Sequence, residues 1–400
     1  MPESSREPVP GARRVVVGET NSGARAPGDA LAPALSAGSA CPAETTATNA
    51  TTMHEEFDAF VAGVRDQVEG RLTVWLAARV AEARGRGDDI AIVADGIRQL
   101  TLRGGKRLRA VLLTAAYVAC GGTRDWRGVE AVTLVGVALE LFQTYLLAHD
   151  DLMDGDAIRR GGPSLPALMS ASFEESRAGA MSILAGDMAC AWAQRALLET
   201  ALAPERVLRA SRELAKVHEE VVAGQILDVV AASIDARAVE AMHALKTASY
   251  SVRGPVVMGA HLAGATDEQV AALESFAEPL GVAFQLRDDV LGTFGDEATT
   301  GKPTGNDLRE GKRTSLVVEA LRDDRAAEGL GRVLGRKDAN DDDVKMAMAR
   351  IEGCGARGRI EIRIEQLADR ARVALDRAPL TAGGRALLAS AVGVLTERRR

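Results

Sequence analysis

The sequence predicts an all-α protein, a single-domain bundle of long helices, on three observations. From Met53 onward apolar residues recur at helical spacing, the segments carrying them are long and rich in Ala, Leu and Val, and short Gly- or Pro-bearing breaks separate them. Those breaks fall around Gly104–Gly105, Gly121–Gly122, Gly161–Pro163, Ala203–Pro204, Gly264–Thr266 and Gly301–Gly311. None resembles a linker, and alternating strand-like runs are scarce, so residues 53–400 read as one domain of stacked helices. Residues 1–52 are rich in Ala, Gly, Pro, Ser and Thr and lack periodicity, which predicts a disordered low-complexity tail.

Hydrophobic residues make up 46% of the 400 positions and aromatic residues only 3%, so the core must be aliphatic. The net charge of −7 argues against general nucleic-acid binding, because a phosphate backbone attracts a basic surface. Any phosphate chemistry must use a local basic site. Cys41, Cys120, Cys190 and Cys354 lie far apart without CxxC spacing, which favours reduced thiols over a zinc site or a disulfide framework. No basic-then-apolar leader opens the chain. The longest apolar tract, Val132 to Ala148, is interrupted by Glu140 and Gln143 and reads as a buried helix. The expectation is a soluble, cytoplasmic protein with no integral membrane segment.

The helix containing that tract carries the first chemical signal. Val132, Val135, Leu139, Phe142 and Leu146 recur at steps of three and four, and the next steps reach Asp150 and then Asp154. The carboxylates prolong the apolar stripe. Two ionised groups about 4 Å apart repel by roughly 4 kcal/mol at an effective dielectric of 20, and desolvation adds to that. Such a cluster, with Asp151 beside it, needs cations. The following Arg159–Arg160 pair can neutralise it as a buried ion-pair network. Magnesium is the stronger candidate, since oxygen-only ligands suit a hard ion that shares its shell with substrate phosphate. The arginine pair then fits the phosphate, which guanidinium groups bind bidentately.

A second cluster follows in "EPLGVAFQLRDDVLGTFGD". Leu280, Phe284 and Asp288 are four apart, which places Asp288 on the buried stripe beside Asp289, with Gln285 one turn before Asp289. Pro279 predicts a helix start or kink. "GKPTGNDLREGKRTS" presents Lys302 and Lys312 on a glycine-marked loop that reads either as a solvated basic loop or as a lid. "RGGKRLRA" places Lys106, Arg107 and Arg109 after a glycine pair at a helix start, where backbone N–H groups favour anions. "LKTASY" sets Lys246 and Thr247 inside a helical tract. His149, beside Asp150, reads as a core or supporting residue, and Asp187 interrupts an apolar helix and suits structural burial or the orienting of a ligand equally.

With these residues in order, the chain resembles the trans-isoprenyl diphosphate synthases (polyprenyl synthetases) over nearly all of 53–400. That family's DDxxD followed by RRGxP is matched by Asp150, Asp151, Asp154, Arg159, Arg160, Gly161 and Pro163. Its GxxFQxxDD is matched by Gly281, Phe284, Gln285, Asp288 and Asp289, its GGKRxR by Gly104 to Arg109, its KT by Lys246–Thr247, and its GKPxGxDLxxGK by Gly301 to Lys312. The resemblance implies the isoprenoid synthase fold, a helical bundle around a central active-site cavity, and a homodimer. It implies Mg2+ bound by Asp150, Asp154 and Asp288, with Asp151 and Asp289 supporting. It further implies an allylic diphosphate held by Arg159, Lys246, Thr247, Gln285, Lys302 and Lys312, and isopentenyl diphosphate held by Lys106, Arg109 and Arg160.

Two positions depart from the family pattern. Gln143 stands where members commonly have His; it can still hydrogen-bond a phosphate but carries no charge. Gly292 stands where the second DDxxD has its last Asp, which leaves Asp288 as the principal ligand there, with Asp289 or Asp296 as helpers. Tyr145 and Leu146, five and four residues before Asp150, resemble the family's chain-length positions, and one aromatic beside Leu implies a C20 product, geranylgeranyl diphosphate. Farnesyl diphosphate is the alternative. A class I terpene cyclase would need NDxxSxxxE, and "NDLREGKRT" has Glu310 where Ser or Thr is required. A non-catalytic partner subunit predicts a broken acidic cluster, whereas the first is intact.

Overall fold

The computed structural model describes residues 42–123, 126–230, 236–295 and 303–397. They form α1 (Pro42–Arg84), α2 (Asp88–Leu102), α3 (Leu108–Ala119) and α4 (Trp126–Asp154), then a two-residue hairpin, β1 (Ile158–Arg159) and β2 (Gly162–Pro163). There follow α5 (Leu165–Ser172), α6 (Glu175–Leu198), α7 (Pro204–Val230), α8 (Ala236–His243), a π-helix (Ala244–Arg253) and α9 (Gly254–Ala263). The chain closes with α10 (Asp267–Phe294), α11 (Asn306–Glu310), α12 (Ser315–Ala320), α13 (Asp324–Leu330), α14 (Asp341–Gly353), α15 (Ala356–Arg377) and α16 (Ala382–Thr396). The all-α expectation holds. Helix α1 begins inside the stretch that composition assigns to the tail, and residues 1–41 lie outside the described residues.

Each break has a local cause. Polar caps open several of the helices: the Ser164 hydroxyl accepts from Ala167 N, Thr314 from Val317 N, and Thr266 forms a capping box with Gln269. That capping box starts α10, and the helix runs on through Pro279, so the predicted start there is corrected. The Arg160–Gly161 turn between β1 and β2 has positive φ at both positions, as a type I′ hairpin requires.

Helix α3 is buried at every position from Ala110 to Ala119 and forms the centre. It packs on α9 and α4, α4 packs on α6, and α7 on α9 and the π-helix. Burying a leucine such as Leu112 or Leu113 contributes roughly 2 kcal/mol. Aliphatic side chains of α3, α4, α9 and α10 fill the main core, and a smaller cluster joins Leu286 and Val290 of α10 to Leu316, Val317 and Ile364. By length and composition the stretch Gly128–Asp154 could cross a membrane, but 78% of its apolar window is buried inside the protein.

Candidate active site

Six segments of the chain converge on one cavity of about 680 Å³. Helix α4 supplies Gln143, Tyr145, Leu146, His149 and Asp150; α10 supplies Asp288; the π-helix supplies Lys246 and Thr247; Arg109 comes from α3 and Arg159 from β1. Apolar side chains of α7, among them Val221, Val222 and Ile226, complete its wall. A smaller cavity of about 220 Å³ is lined by Asp154, Asp156, Asp228, Lys312, Arg313 and Lys337, and shares Val229 with the first.

The π-helix is seated by close backbone approach. A Cβ at Gly224 of α7 would overlap the Lys246 backbone, and one at Gly281 of α10 would press on Ala248. Glycine at these two positions lets the π-helix lie against both neighbours. Lys246 Nζ thereby stands 3.1 Å from Asp150 Oδ1 and 2.6 Å from Asp228 Oδ2. Burial opposes its charge, but the two carboxylates outweigh that and raise its pKa.

In each aspartate pair the second member is the buried one. Asp151 and Asp289 are 0% and 2% exposed, whereas Asp150 and Asp288 are half-buried on the cavity and Asp154 is exposed and lines the smaller cavity. This corrects the stripe reading, which buried Asp150, Asp154 and Asp288. The stripe ends at a cavity and not at packed side chains, so its last residues keep solvent contact, while the adjacent position turns beneath neighbouring elements. Asp151 Oδ1 accepts from Arg159 Nε at 2.6 Å, and Arg159 also bonds Asp156 at 3.0 Å. Asp289 accepts from Gln285 Nε2 (2.8 Å) and Ser315 N (3.1 Å) and lies 3.6 Å from His243 Nδ1.

The electrostatics favour an added cation. Burial pushes Asp151 up to about 6 despite Arg159. Burial also raises Asp289, and partial desolvation together with the Asp150 charge raises Asp154. Asp151 Oδ2 is buried without a hydrogen-bond partner, as is Gln143 Oε1. Among the described residues no three His, Cys, Asp or Glu side chains are grouped closely enough to enclose a metal themselves. The donors are all oxygen, spread around a cavity with room for a ligand, which suits magnesium held by a few carboxylates and substrate phosphates. The residues present fit that ion.

Lys312 lies in the smaller cavity, 3.6 Å from Asp307 and 2.7 Å from Glu310, and these carboxylates raise its pKa against the effect of burial. Lys106 is exposed at the turn into α3. Arg160 occupies the β1–β2 turn, with Glu140, Arg107, Tyr250 and Arg109 as its charged and polar surroundings. Arg109 stacks on Tyr250, its guanidinium carbon 4.0 Å from the ring centroid. Gly301, Lys302 and Asp296 lie outside the described residues. His149 approaches the Ile183 carbonyl (3.2 Å) and Asp187 (3.8 Å), which accounts for both polar interruptions.

Two neighbours of the cavity went unread in the sequence. Asp228 continues a Val217, Val221, Gly224 stripe, the same signal that marks Asp150, and could have been found. His218 could not: a lone histidine on an amphipathic helix carries no pattern, yet its Nε2 lies 2.9 Å from the Tyr145 hydroxyl.

Comparison with known proteins finds relatives of this chain. The family model described as polyprenyl synthetase matches residues 91–351. A geranylgeranyl diphosphate synthase of Mycobacterium tuberculosis is 37% identical over 282 residues, 67% of this chain and 76% of that protein. A geranylfarnesyl diphosphate synthase of Aeropyrum pernix is 33% identical over 282 residues, 69% of this chain and 84% of its own. The crystal structure of geranylgeranyl pyrophosphate synthase from Corynebacterium glutamicum, complexed with isoprenyl diphosphate and magnesium, superposes with a TM-score of 0.78 at 33% identity, covering 86% of this chain and 99% of that one.

Proposed function

The chain belongs to the polyprenyl synthetase family, and from that membership we propose that it is a short-chain prenyltransferase joining isopentenyl diphosphate head-to-tail to an allylic diphosphate, with geranylgeranyl diphosphate as product. The observation that carries this reading is the meeting of Asp150 and Asp288, 138 positions apart in the sequence, on one apolar-walled cavity with Lys246, Thr247 and Gln143.

Asp150, Asp154 and Asp288 would hold Mg2+, which when bound supplies Lewis-acid neutralisation of the diphosphate oxygens. Lys246, Thr247, Arg159, Gln285, Lys302 and Lys312 bind the allylic diphosphate, their fixed charges and hydrogen bonds stabilising negative charge as it develops on the leaving group. The allylic C–O bond breaks, its electron pair leaving with the bridging oxygen. Lys106, Arg109 and Arg160 hold isopentenyl diphosphate so that its double bond attacks the allylic cation and forms the new C–C bond. The resulting tertiary cation loses a proton to the departed pyrophosphate. Leu146, Val221, Val222 and Ile226 keep water from trapping the cation. Asp151 orients Arg159, and Asp289 ties Gln285 to the start of α12.

Exposed apolar side chains on α6, including Ile183 and Leu184, support a homodimer built on this helix. A cytoplasmic location completes the reading.

The test is direct. Purified protein with magnesium, isopentenyl diphosphate and each allylic starter in turn should yield a C20 diphosphate. Asp150→Ala or Asp288→Ala should lower turnover by orders of magnitude with the helical circular-dichroism signal kept. Full turnover in both variants would refute the mechanism.

A further inference from the structure

Among the described residues two non-glycine positions have positive φ, and both are arginines of the basic motifs: Arg107 (φ 49) and Arg160 (φ 54). A side chain in the left-handed region crowds its own backbone and persists where the surroundings over-determine it. For Arg107 the surroundings are explicit. Only 3% exposed, it precedes α3; its Nη1 donates to Glu140 Oε2 at 2.5 Å, its Nη2 to the Thr101 carbonyl at 3.0 Å, and its Nε lies 3.5 Å from Glu69. Glu140, on α4, is 2% exposed. One turn on, Thr144 shares a 2.8 Å hydrogen bond with Thr101, so the end of α2, the start of α3 and the middle of α4 are pinned at one buried polar knot.

Arg160 shares the left-handed backbone, in the hairpin turn. Burial, Arg107 and Arg109 oppose its charge, and Glu140 favours it. Arg107 is thus pinned on an interior carboxylate that the proposed chemistry leaves unused. Glu140 is too deeply covered to meet a substrate, and Arg107 is committed to it.

We propose that Glu140 and Arg107 are positioning residues for the non-allylic diphosphate: Glu140 holds the left-handed Arg107, and the pinned Arg107 sets the directions in which Lys106 and Arg109, its flanking cations, leave the turn. The inference rests on the reading that Lys106, Arg109 and Arg160 hold isopentenyl diphosphate. One misdirected charged hydrogen bond at about 1.4 kcal/mol is a tenfold loss of affinity.

The experiment compares Glu140→Gln, Glu140→Asp and the double variant Arg107→Gln/Glu140→Gln, which leaves no uncompensated buried charge if a single change prevents folding. Steady-state kinetics are run with each substrate varied, and binding of isopentenyl diphosphate alone is followed by calorimetry. The expected result is a KM for isopentenyl diphosphate raised about tenfold or more, with kcat and the allylic KM within about twofold. The double variant should recover thermal stability without recovering that KM. A folded variant in which both KM values move together, or neither moves, overturns the inference. Arg109→Gln is the control. If it leaves isopentenyl diphosphate binding unchanged, the underlying subsite is wrong; if it weakens binding while the Glu140 variants do not, only the positioning role fails.

Discussion

Replacing Tyr145 by Ala should lengthen the product. The Tyr145 ring lines the cavity of about 680 Å³ that carries Asp150 and packs on Phe142 and His218, which with Leu197 and Leu214 line a second apolar cavity of about 650 Å³. The two cavities share Val222 and Ile226 in their walls. The partition is a stack of rings: Tyr145 lies 5.4 Å from Phe142 and 5.1 Å from His218 by centroids, and its hydroxyl is 2.9 Å from His218 Nε2. Burial of one more five-carbon unit at about 0.8 kcal/mol per carbon is worth about 4 kcal/mol, close to a thousandfold, which allows a further addition to compete with release. Tyr145→Phe keeps the ring and loses a hydrogen bond worth about 1 kcal/mol, so its product should stay the same length. His218→Ala opens the partition from the far side and should lengthen the product as well. Product sizes are read by mass spectrometry after incubation with isopentenyl diphosphate and farnesyl diphosphate. An unchanged product from both Tyr145→Ala and His218→Ala would refute the partition.

Gly292→Ala should impair the second acidic cluster, because a Cβ there would overlap the Asp307 carboxylate, which lies 3.6 Å from Lys312. Overpacking of this kind costs about 1–3 kcal/mol, read as a lower denaturation midpoint together with at least a tenfold rise in the allylic KM; an unchanged variant would show that Asp307 is free to move. Asp228→Asn should weaken the hold on Lys246 and lower turnover about tenfold or more, with little change in isopentenyl diphosphate binding. Burial lowers the pKa of His218, so between its folded value and the unfolded value of about 6.5 the unfolded chain binds more protons. Its stabilising contribution is full above about pH 6.5 and is lost as pH falls through the folded value. Relative to His218→Asn, the wild type should therefore lose stability on acidification, measured by urea unfolding; a constant difference between the two would remove the effect. Chelation should abolish turnover and magnesium restore it, with the helical signal unchanged throughout.

Helical periodicity is a local property. Val135, Leu139, Phe142, Leu146 and Asp150 share a face whatever α4 packs against, so the all-α class, the acidic clusters and the basic motifs followed from the chain alone. Even Asp228 carried a readable stripe. Other features depend on partners brought together from far along the chain: Lys246 between Asp150 and Asp228, Ser315 on Asp289, Asp307 in the space beside Gly292, His218 against Tyr145. The face that ends at a cavity differs from the face that ends under another helix only after packing, which is why Asp151 and Asp289, and not their predecessors, are the buried members. The sequence by itself determined which acidic and basic residues recur on helical faces and in motifs; the tertiary structure decided which of them line the cavity and which lie buried beneath it, because burial and charge pairing are settled by contacts that no local spacing encodes.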